Sequence, residues 1–258
     1  MTGTDTIQNV LLFVLTAVSC AGNILGLSRY WSGEIKTVQT PAESGPPSSD
    51  ETEARNGDDQ AVSKAETTAE PLDMRPGKKT QILFFGMIVV FTFASVAFQR
   101  FFYHNDFLWC LRALGIVTIV WPCGLIDRYE RRIPNKVILL GIAIWAVIFI
   151  ISSFSHPEEW LRELGHDLAG GGGILVAFLI FMLISRGGIG MGDVKLFAVI
   201  ALFTGLLEVV PILFLVLIIS FFAAVYFLLS KKKKRTDFFP FGPCILAGTI
   251  LAMILTSA

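Results

Sequence analysis

The stretch "GGIGMGDVKLF" (187–197) separates two hydrophobic segments with four glycines and an aspartate. Glycine commonly ends a helix and aspartate is favoured where one begins, so the stretch predicts that one helix stops here and another starts. By itself, Asp193 needs no role beyond that of a helix cap. Both flanking segments are apolar enough for lipid, however, and a carboxylate between two such segments is a candidate functional group.

The whole chain has the composition of a membrane protein. Hydrophobic residues make up 53% of it and charged residues 16%, whereas a soluble domain carries about 25% charged residues. Most apolar segments approach the roughly 20 residues that cross the hydrocarbon layer as a helix. We therefore expect an all-α, polytopic bundle of about eight transmembrane helices. The segments are 8–28, 81–100, 108–126, 136–154, 168–185, 194–207, 210–229 and 241–258.

The lysines and arginines predict the orientation of this bundle. If the N-terminus lies outside, the inner loops hold eighteen of the 21 basic residues, as the positive-inside rule requires. The run "KKKKR" (231–235) is the clearest cytoplasmic marker among them. The first segment lacks a basic n-region and a small-residue cleavage site, so we expect a retained helix rather than a signal peptide.

Three regions follow from these patterns: a first transmembrane helix (1–28), a linker (29–80) and a membrane-embedded domain (81–258). The linker is rich in Pro, Ser and Thr, and between residues 40 and 77 it holds nine acidic and three basic residues. Such a segment buries too little apolar surface to offset the entropy lost on ordering. We expect it to be a disordered cytoplasmic tether, although a partner-binding tail is also compatible with it.

The cysteines and histidines do not predict a metal, a cofactor or a disulfide. The four cysteines lie in or beside apolar segments without a CxxC pair, as is typical of small side chains in helix packing. The three histidines fall in loops placed outside, away from the cytoplasmic face. We expect neither metal nor cofactor, and no nucleic acid as a partner. The residues are Cys20, Cys110, Cys123, Cys244, His104, His156 and His166.

A second aspartate lies on the same side of the membrane as the first. Asp127 stands in "WPCGLIDRYERRIPNKVILL" (121–140), where the third segment ends. The third and fifth segments both run inward, so Asp127 and Asp193 reach the same cytoplasmic boundary. Two carboxylates held close in a partly dry site cannot both ionise easily, so one keeps its proton while the other acts as a base. The base activates water and the acid polarises a carbonyl, which is the chemistry of an aspartic protease.

At this point the chain resembles the type IV prepilin peptidases, which are membrane aspartic proteases of the GxGD class. Three motifs carry the resemblance: "IDRYERRIPN" (126–135), "GMGDVKL" (190–196) and "FPFGPCILAG" (239–248). They occur in the family's order within 81–258. A lone GxGD motif has little specificity, but the three together indicate the family strongly.

The resemblance implies a role for each matching position. Asp127 and Asp193 are expected to form the catalytic pair, and the other matching residues to shape or support the site. The implied substrates are type IV pilin-like or pseudopilin precursors, cut at the cytoplasmic face of the cell membrane in which the multi-pass chain lies. The shaping residues are Gly190, Gly192, Lys195, Pro240, Phe241, Gly242 and Pro243, and the supporting residues are Arg132, Pro134 and Asn135.

The chain departs from the bifunctional members of the family between its first two helices. Those members carry a cysteine-paired domain there and also methylate the new N-terminus, whereas residues 29–80 contain no cysteine. We therefore expect peptidase activity without methyltransferase activity. Two other functions stay open on the residues alone: a catalytically inactive scaffold for pilus or secretion assembly, and a transporter that uses membrane carboxylates. The pattern does not indicate an oligomeric state.

Overall fold

The computed structural model describes residues 3–32, 77–185, 190–229 and 240–256. All regular secondary structure in these ranges is helical, which confirms the predicted all-α fold. The predicted linker (29–80) is helical at both ends, at 29–32 and 78–80, so the first and second helices extend beyond their predicted bounds. The prediction of disorder for the rest of the linker, and that of a cytoplasmic position for 231–235, concern residues outside the described ranges. The helices are α1 (Gly3–Ser32), α2 (Lys78–Ala97), α3 (Phe107–Glu130), α4 (Asn135–Ser155), α5 (Trp160–Ile184), α6 (Met191–Thr204), α7 (Val209–Leu229) and α8 (Gly242–Leu255), and a π-helical turn (Phe98–Phe102) extends α2.

Six of these helices, α1 to α5 and α7, are long and apolar enough to cross a membrane, so the chain is an integral, multi-pass membrane protein. Helices α6 and α8 have 14 residues each, which is about 21 Å and less than the ~30 Å of a hydrocarbon layer. The apolar window of α3 is 83% buried, whereas those of the other five long helices are only 17–28% buried. Helix α3 is therefore the central helix, and the others turn most of their surface towards lipid.

Close packing around α3 depends on small residues at the contacts. Gly115 lies against the ring of Phe203 on α6, and a Cβ atom at position 115 would come within 2.6 Å of that ring. Gly170 on α5 similarly meets the backbone of Ala201 and Gly205, at 2.5 and 2.7 Å from an added Cβ. Small residues let helix backbones approach closely where no hydrophobic effect drives helices together in lipid. Helix α6 is thereby enclosed in the bundle although it is short.

A buried ion cluster joins four helices at the end of the bundle where α3 begins. The guanidinium of Arg112 donates two hydrogen bonds to the Asp167 carboxylate, at 2.9 and 3.0 Å, and further bonds to Glu163 and to the Phe203 carbonyl. The Trp145 indole also donates to Asp167, at 2.9 Å. Arg112 is only 7% exposed and Asp167 is fully buried, so each charge is satisfied by the other inside the protein.

This cluster corrects two details of the sequence analysis. Helix α5 begins at Trp160, eight residues before the predicted segment at 168, so His166 lies on a helix and not in a loop. Its Nε2 lies 3.8 Å from Glu208 Oε2, in the turn before α7. The hydropathy pattern left residues 160–167 out of the predicted fifth segment, because several of them are charged. Those residues are helical nonetheless, because Glu163 and Asp167 find a partner on α3.

Removing one member of the cluster is expected to destabilise the fold. We predict that Arg112→Met lowers the free energy of unfolding by about 3–5 kcal/mol, because it leaves Asp167 buried without its partner. Thermal unfolding of the detergent-solubilised protein measures the change. Arg162→Met is the matched control, since this exposed arginine lies at the same end, on α5, and its replacement should change stability by less than about 0.5 kcal/mol. Equal effects of the two substitutions would contradict the interpretation.

Candidate active site

The opposite end of the bundle brings together the three motifs that the sequence analysis singled out. Here α3 ends and α4, α6 and α8 begin. The backbone N–H of Gly242, the first residue of α8, donates a 2.7 Å hydrogen bond to Asp127 Oδ2 on α3. Lys195 on α6 donates a 3.2 Å hydrogen bond to Asn135 Oδ1, at the start of α4. These two bonds connect helices that are far apart in sequence.

The position of Asp127 follows from the way α3 ends. The carboxylate lies in the last turn and is 7% exposed. Arg131, four residues later, adopts a left-handed conformation with φ of 55° and donates its N–H to the Asp127 carbonyl at 3.0 Å. A residue in this conformation stops a helix. Pro134 then precedes α4 as its N-cap residue, so "RRIPN" (131–135) forms the turn that places Asp127 at the edge of the buried core.

Arg132 and Pro134 take part in this turn rather than in the carboxylate site. The Arg132 side chain is 69% exposed and pairs with Glu130 at 3.5 Å. Pro134 is half-buried, and its carbonyl accepts hydrogen bonds from the N–H groups of Val137 and Ile138 in the first turn of α4. The structure thus brings Asn135 to the site through Lys195, and gives the other two predicted supporting residues a role in shaping the backbone.

Glycine at position 242 is required by the closeness of α8 to α3. A Cβ atom at this position would lie 2.6 Å from Asp127 Cβ and 2.8 Å from its Oδ2. Its N–H is one of the amides at a helix start that have no partner within the helix, and Asp127 supplies the acceptor. An anionic group at such an amide is also favoured by the helix dipole. Pro243 lies in the same first turn, where the N–H that proline lacks would have no acceptor within the helix.

The two glycines of the GxGD motif allow close packing around Asp193, because a side chain at either position would meet neighbouring atoms. Asp193 lies in the first turn of α6, and its N–H donates to the Gly190 carbonyl at 3.1 Å. A Cβ atom at Gly190 would lie 3.1 Å from Asp193 Oδ2, and one at Gly192 would lie 3.0 Å from Ile133 Cβ. Gly192 therefore packs against the α3–α4 turn. Sequence reasoning missed Ile133 as its partner, because nothing in the motif marks an apolar residue 59 positions away.

The two carboxyl groups interact electrostatically. Burial and the nearby charge of Asp127 raise the pKa of Asp193 to about 7. Asp193 lies outside the six helices long enough to cross the membrane, and it is only half-buried. The pair therefore holds a proton near neutral pH, and its titration belongs to both groups rather than to one.

The remaining predicted residues lie around this pair. The Phe241 ring packs against Phe197 of α6, with ring centroids 6.3 Å apart. Pro240 is half-buried and directly precedes Phe241. Among the described residues, no group of three or more His, Cys, Asp or Glu side chains is arranged to hold a metal ion. The four cysteines are buried and unpaired, in agreement with a packing role.

Fold and site together define a class: an all-helical, multi-pass membrane protein with two interacting aspartates, one buried and one half-buried, at one end of its bundle. Residues 114–229 match the Type IV leader peptidase family. This range contains Asp127 and Asp193 and ends before Gly242. The resemblance indicated by the motifs is thereby confirmed for this part of the chain.

One curated relative is the "Prepilin leader peptidase/N-methyltransferase" of Bacillus subtilis (strain 168). It is 31% identical over 142 residues, which cover 55% of this chain and 54% of the relative. The match thus spans about half the length of that protein. No solved structure matches the chain.

The electrostatic coupling predicts a measurable titration of Asp193. We expect its carboxyl infrared band to disappear with a midpoint near pH 7, since burial and Asp127 raise its pKa to about that value. The Asp193→Asn variant lacks this carboxyl group, so the band that is missing from its spectrum belongs to Asp193. In Asp127→Asn the midpoint should fall, because the charge of Asp127, which together with burial raises the pKa of Asp193, is gone. A midpoint that is the same in Asp127→Asn as in the unaltered chain would show that the two carboxyl groups are not coupled.

Proposed function

We propose that this protein is a membrane aspartic endopeptidase that removes the short basic leader of type IV prepilin-like precursors. The observation that carries the proposal is the interacting pair of Asp127 and Asp193, which lies within the range that matches the Type IV leader peptidase family. The pair stands on helices α3 and α6, which the tightly packed core holds in place.

The surroundings of the two carboxyl groups suggest different roles for them. The Gly242 N–H donates to Asp127 Oδ2, and a hydrogen bond of this kind stabilises an ionised carboxylate more than a neutral carboxyl group. Asp193 keeps a proton up to about pH 7. We assign the base to Asp127 and the acid to Asp193. The hydrogen bond to Oδ2 leaves Oδ1 of Asp127 to take a proton from water.

The reaction then follows the general scheme of two-carboxylate proteolysis. Asp127 removes a proton from water while the resulting hydroxide adds to the scissile carbonyl carbon. Asp193 gives its proton to the carbonyl oxygen, so the tetrahedral intermediate is neutral. Asp127 next returns its proton to the leaving nitrogen as the C–N bond breaks, and Asp193 regains its proton as the carboxyl product forms.

The site is suited to this chemistry because water is largely excluded from it. Asp127 is 7% exposed, and Asp193 is half-buried. Electrostatic interactions are stronger in such surroundings than in bulk water. Gly190, by contrast, is exposed at the rim, where the absence of a side chain lets a substrate backbone approach.

The distribution of basic residues supports a cytoplasmic position for the site. With the N-terminus outside, Asp127 and Asp193 lie at the inner boundary of the cell membrane. A precursor with a basic leader in the cytoplasm and an apolar segment in the bilayer places its cleavage point at the same depth. The partners of the chain are then such precursors and the surrounding lipid.

We further propose that the chain does not methylate the cleaved product. The name of the Bacillus subtilis relative includes an N-methyltransferase activity, and that name describes the relative. Residues 29–80 of this chain, in the interval where bifunctional members carry cysteines, contain none.

The direct test is cleavage of a co-expressed pilin-like precursor. Asp127→Asn and Asp193→Asn should each lower the cleavage rate by at least 10²–10⁴-fold, the typical contribution of a general acid or base. Asp106→Asn is the control, because this exposed aspartate precedes α3 at the opposite end of the bundle.

Gel shift and N-terminal mass measure the cut, and the same mass shows whether a methyl group is added from S-adenosylmethionine. Full cleavage by both variants would exclude the aspartic mechanism, and a methylated product would refute the absence of methyl transfer.

A second test concerns the contact between α8 and Asp127. Gly242→Ala must displace the carboxylate, because its Cβ would overlap Asp127. A displacement of about 1 Å can lower a rate by about 10²-fold, so we expect a loss of that order in the cleavage rate. Gly86→Ala is the matched control, since a Cβ there meets no atom within 4 Å. Unchanged cleavage by Gly242→Ala would show that Asp127 does not need this contact.

A further inference from the structure

An apolar groove lies beside the carboxylate pair. It is formed by α2, α3 and α8, with one residue from α7, and encloses about 400 Å³. Three of its lining residues, Met87, Phe91 and Leu251, are 37–38% exposed on helices that face lipid. The groove is therefore accessible from the membrane side of the bundle.

One end of this groove lies beside the proposed site, although neither aspartate is among its lining residues. Its lining includes Gly124 and Arg128, which stand before and after Asp127 on α3, and Pro243, which follows Gly242. Along α8 the lining continues to Ile254, eleven residues from Pro243 and thus about 16 Å away. The groove is as long as about three turns of a helix, or as an extended segment of fewer residues.

One residue of the lining has a buried polar atom without a partner. Trp121 is 2% exposed, and its indole N–H has no hydrogen-bond acceptor among the described residues. A buried tryptophan N–H usually finds an acceptor, and leaving one unpaired costs about 1–3 kcal/mol. Trp121 precedes Asp127 by six residues, so an acceptor that satisfies it would lie about 9 Å along α3 from the carboxylate.

We infer that this groove seats the apolar segment of the precursor that directly follows the cleaved bond. The inference rests on the proposed function and specifies how that site holds its substrate. A peptide must be unwound to be cut, which frees backbone carbonyls that lipid cannot satisfy. The Trp121 N–H is covered by neighbouring groups, and it supplies a donor for such a carbonyl once the entering segment displaces them. A lipid acyl chain has no acceptor to offer at this position.

Charge at the mouth of the groove favours the same occupant. Arg128 is exposed and lies next to Asp127 at the end where the groove meets the site. Its positive charge opposes entry of a basic leader into the groove. The apolar segment is therefore the part of the precursor that enters, and the leader stays on the other side of the cleaved bond.

The test fills the groove without touching the proposed catalytic residues. Ala247 is an exposed, small residue of the lining, so Ala247→Phe obstructs the groove. Ala177→Phe, on the exposed surface of α5, is the matched control. Each full-length variant is assayed in membranes with two substrates: a pilin-like precursor with its apolar segment, and a soluble peptide with only the leader and the cleavage point.

We expect Ala247→Phe to raise KM for the precursor by about tenfold or more with little change in kcat. The groove would bind the apolar segment equally well in the ground state and in the transition state, so blocking it weakens binding without slowing the chemical step. Cleavage of the soluble peptide should stay as in the unaltered chain. In an Asp127→Asn background, a photo-crosslinking residue at position 247 should form an adduct with the precursor, and one at 177 should not.

Other outcomes separate the inference from the proposed function. If the unaltered chain cuts the precursor and Ala247→Phe leaves KM unchanged, or if position 247 crosslinks only phospholipid, the groove is not the docking site and the peptidase proposal stands. A KM increase that is equal for both substrates also overturns the inference, since the substitution then disturbs the carboxylate pair itself. If the unaltered chain cuts neither substrate, the proposed function fails and the inference fails with it.

Discussion

The structure depends on one constraint: helix α3 is buried along most of its length and carries a charged group near each end. In a bundle surrounded by lipid, such groups must find partners inside the protein. Arg112 does so completely, through a carboxylate that it contacts with two hydrogen bonds and through a backbone carbonyl. Asp127, fifteen residues later, accepts a hydrogen bond from Gly242 and faces a second carboxyl group. The packing of the other helices around α3 follows from these two requirements.

The contrast between the two ends connects stability with function. At the Arg112 end, opposite charges compensate each other and join α3 to α4, α5 and α6. At the Asp127 end, two groups of like charge are brought together, an arrangement that a fold without a functional need for it would avoid. The pair is tolerated because one member holds a proton near neutral pH. In our proposal, this same property makes the pair an acid and a base for peptide hydrolysis.

Much of the fold and part of the site were predictable from the sequence. The apolar segments indicated the helices, because the length of a membrane-crossing helix is set by the thickness of the bilayer. The loop charges and the order of crossings indicated that Asp127 and Asp193 share one face. The start of α5 was wrong by eight residues, since hydropathy treats Glu163 and Asp167 as solvent-exposed, whereas Arg112 compensates them. The groove beside Trp121 was not predictable, because its walls come from separate helices and no motif marks them.

The sequence by itself determined that the chain is a helical membrane protein and that three motifs resemble a peptidase family, and it predicted that two aspartates share one face of the membrane. These are local or one-dimensional properties: hydrophobic length, charge balance and residue spacing. Only the tertiary structure decided that the Gly242 amide holds Asp127, that Gly192 packs on Ile133, and that an apolar groove leads to the site. Such contacts join residues 59 to 115 positions apart, and their geometry arises from close packing that no stretch of sequence specifies alone.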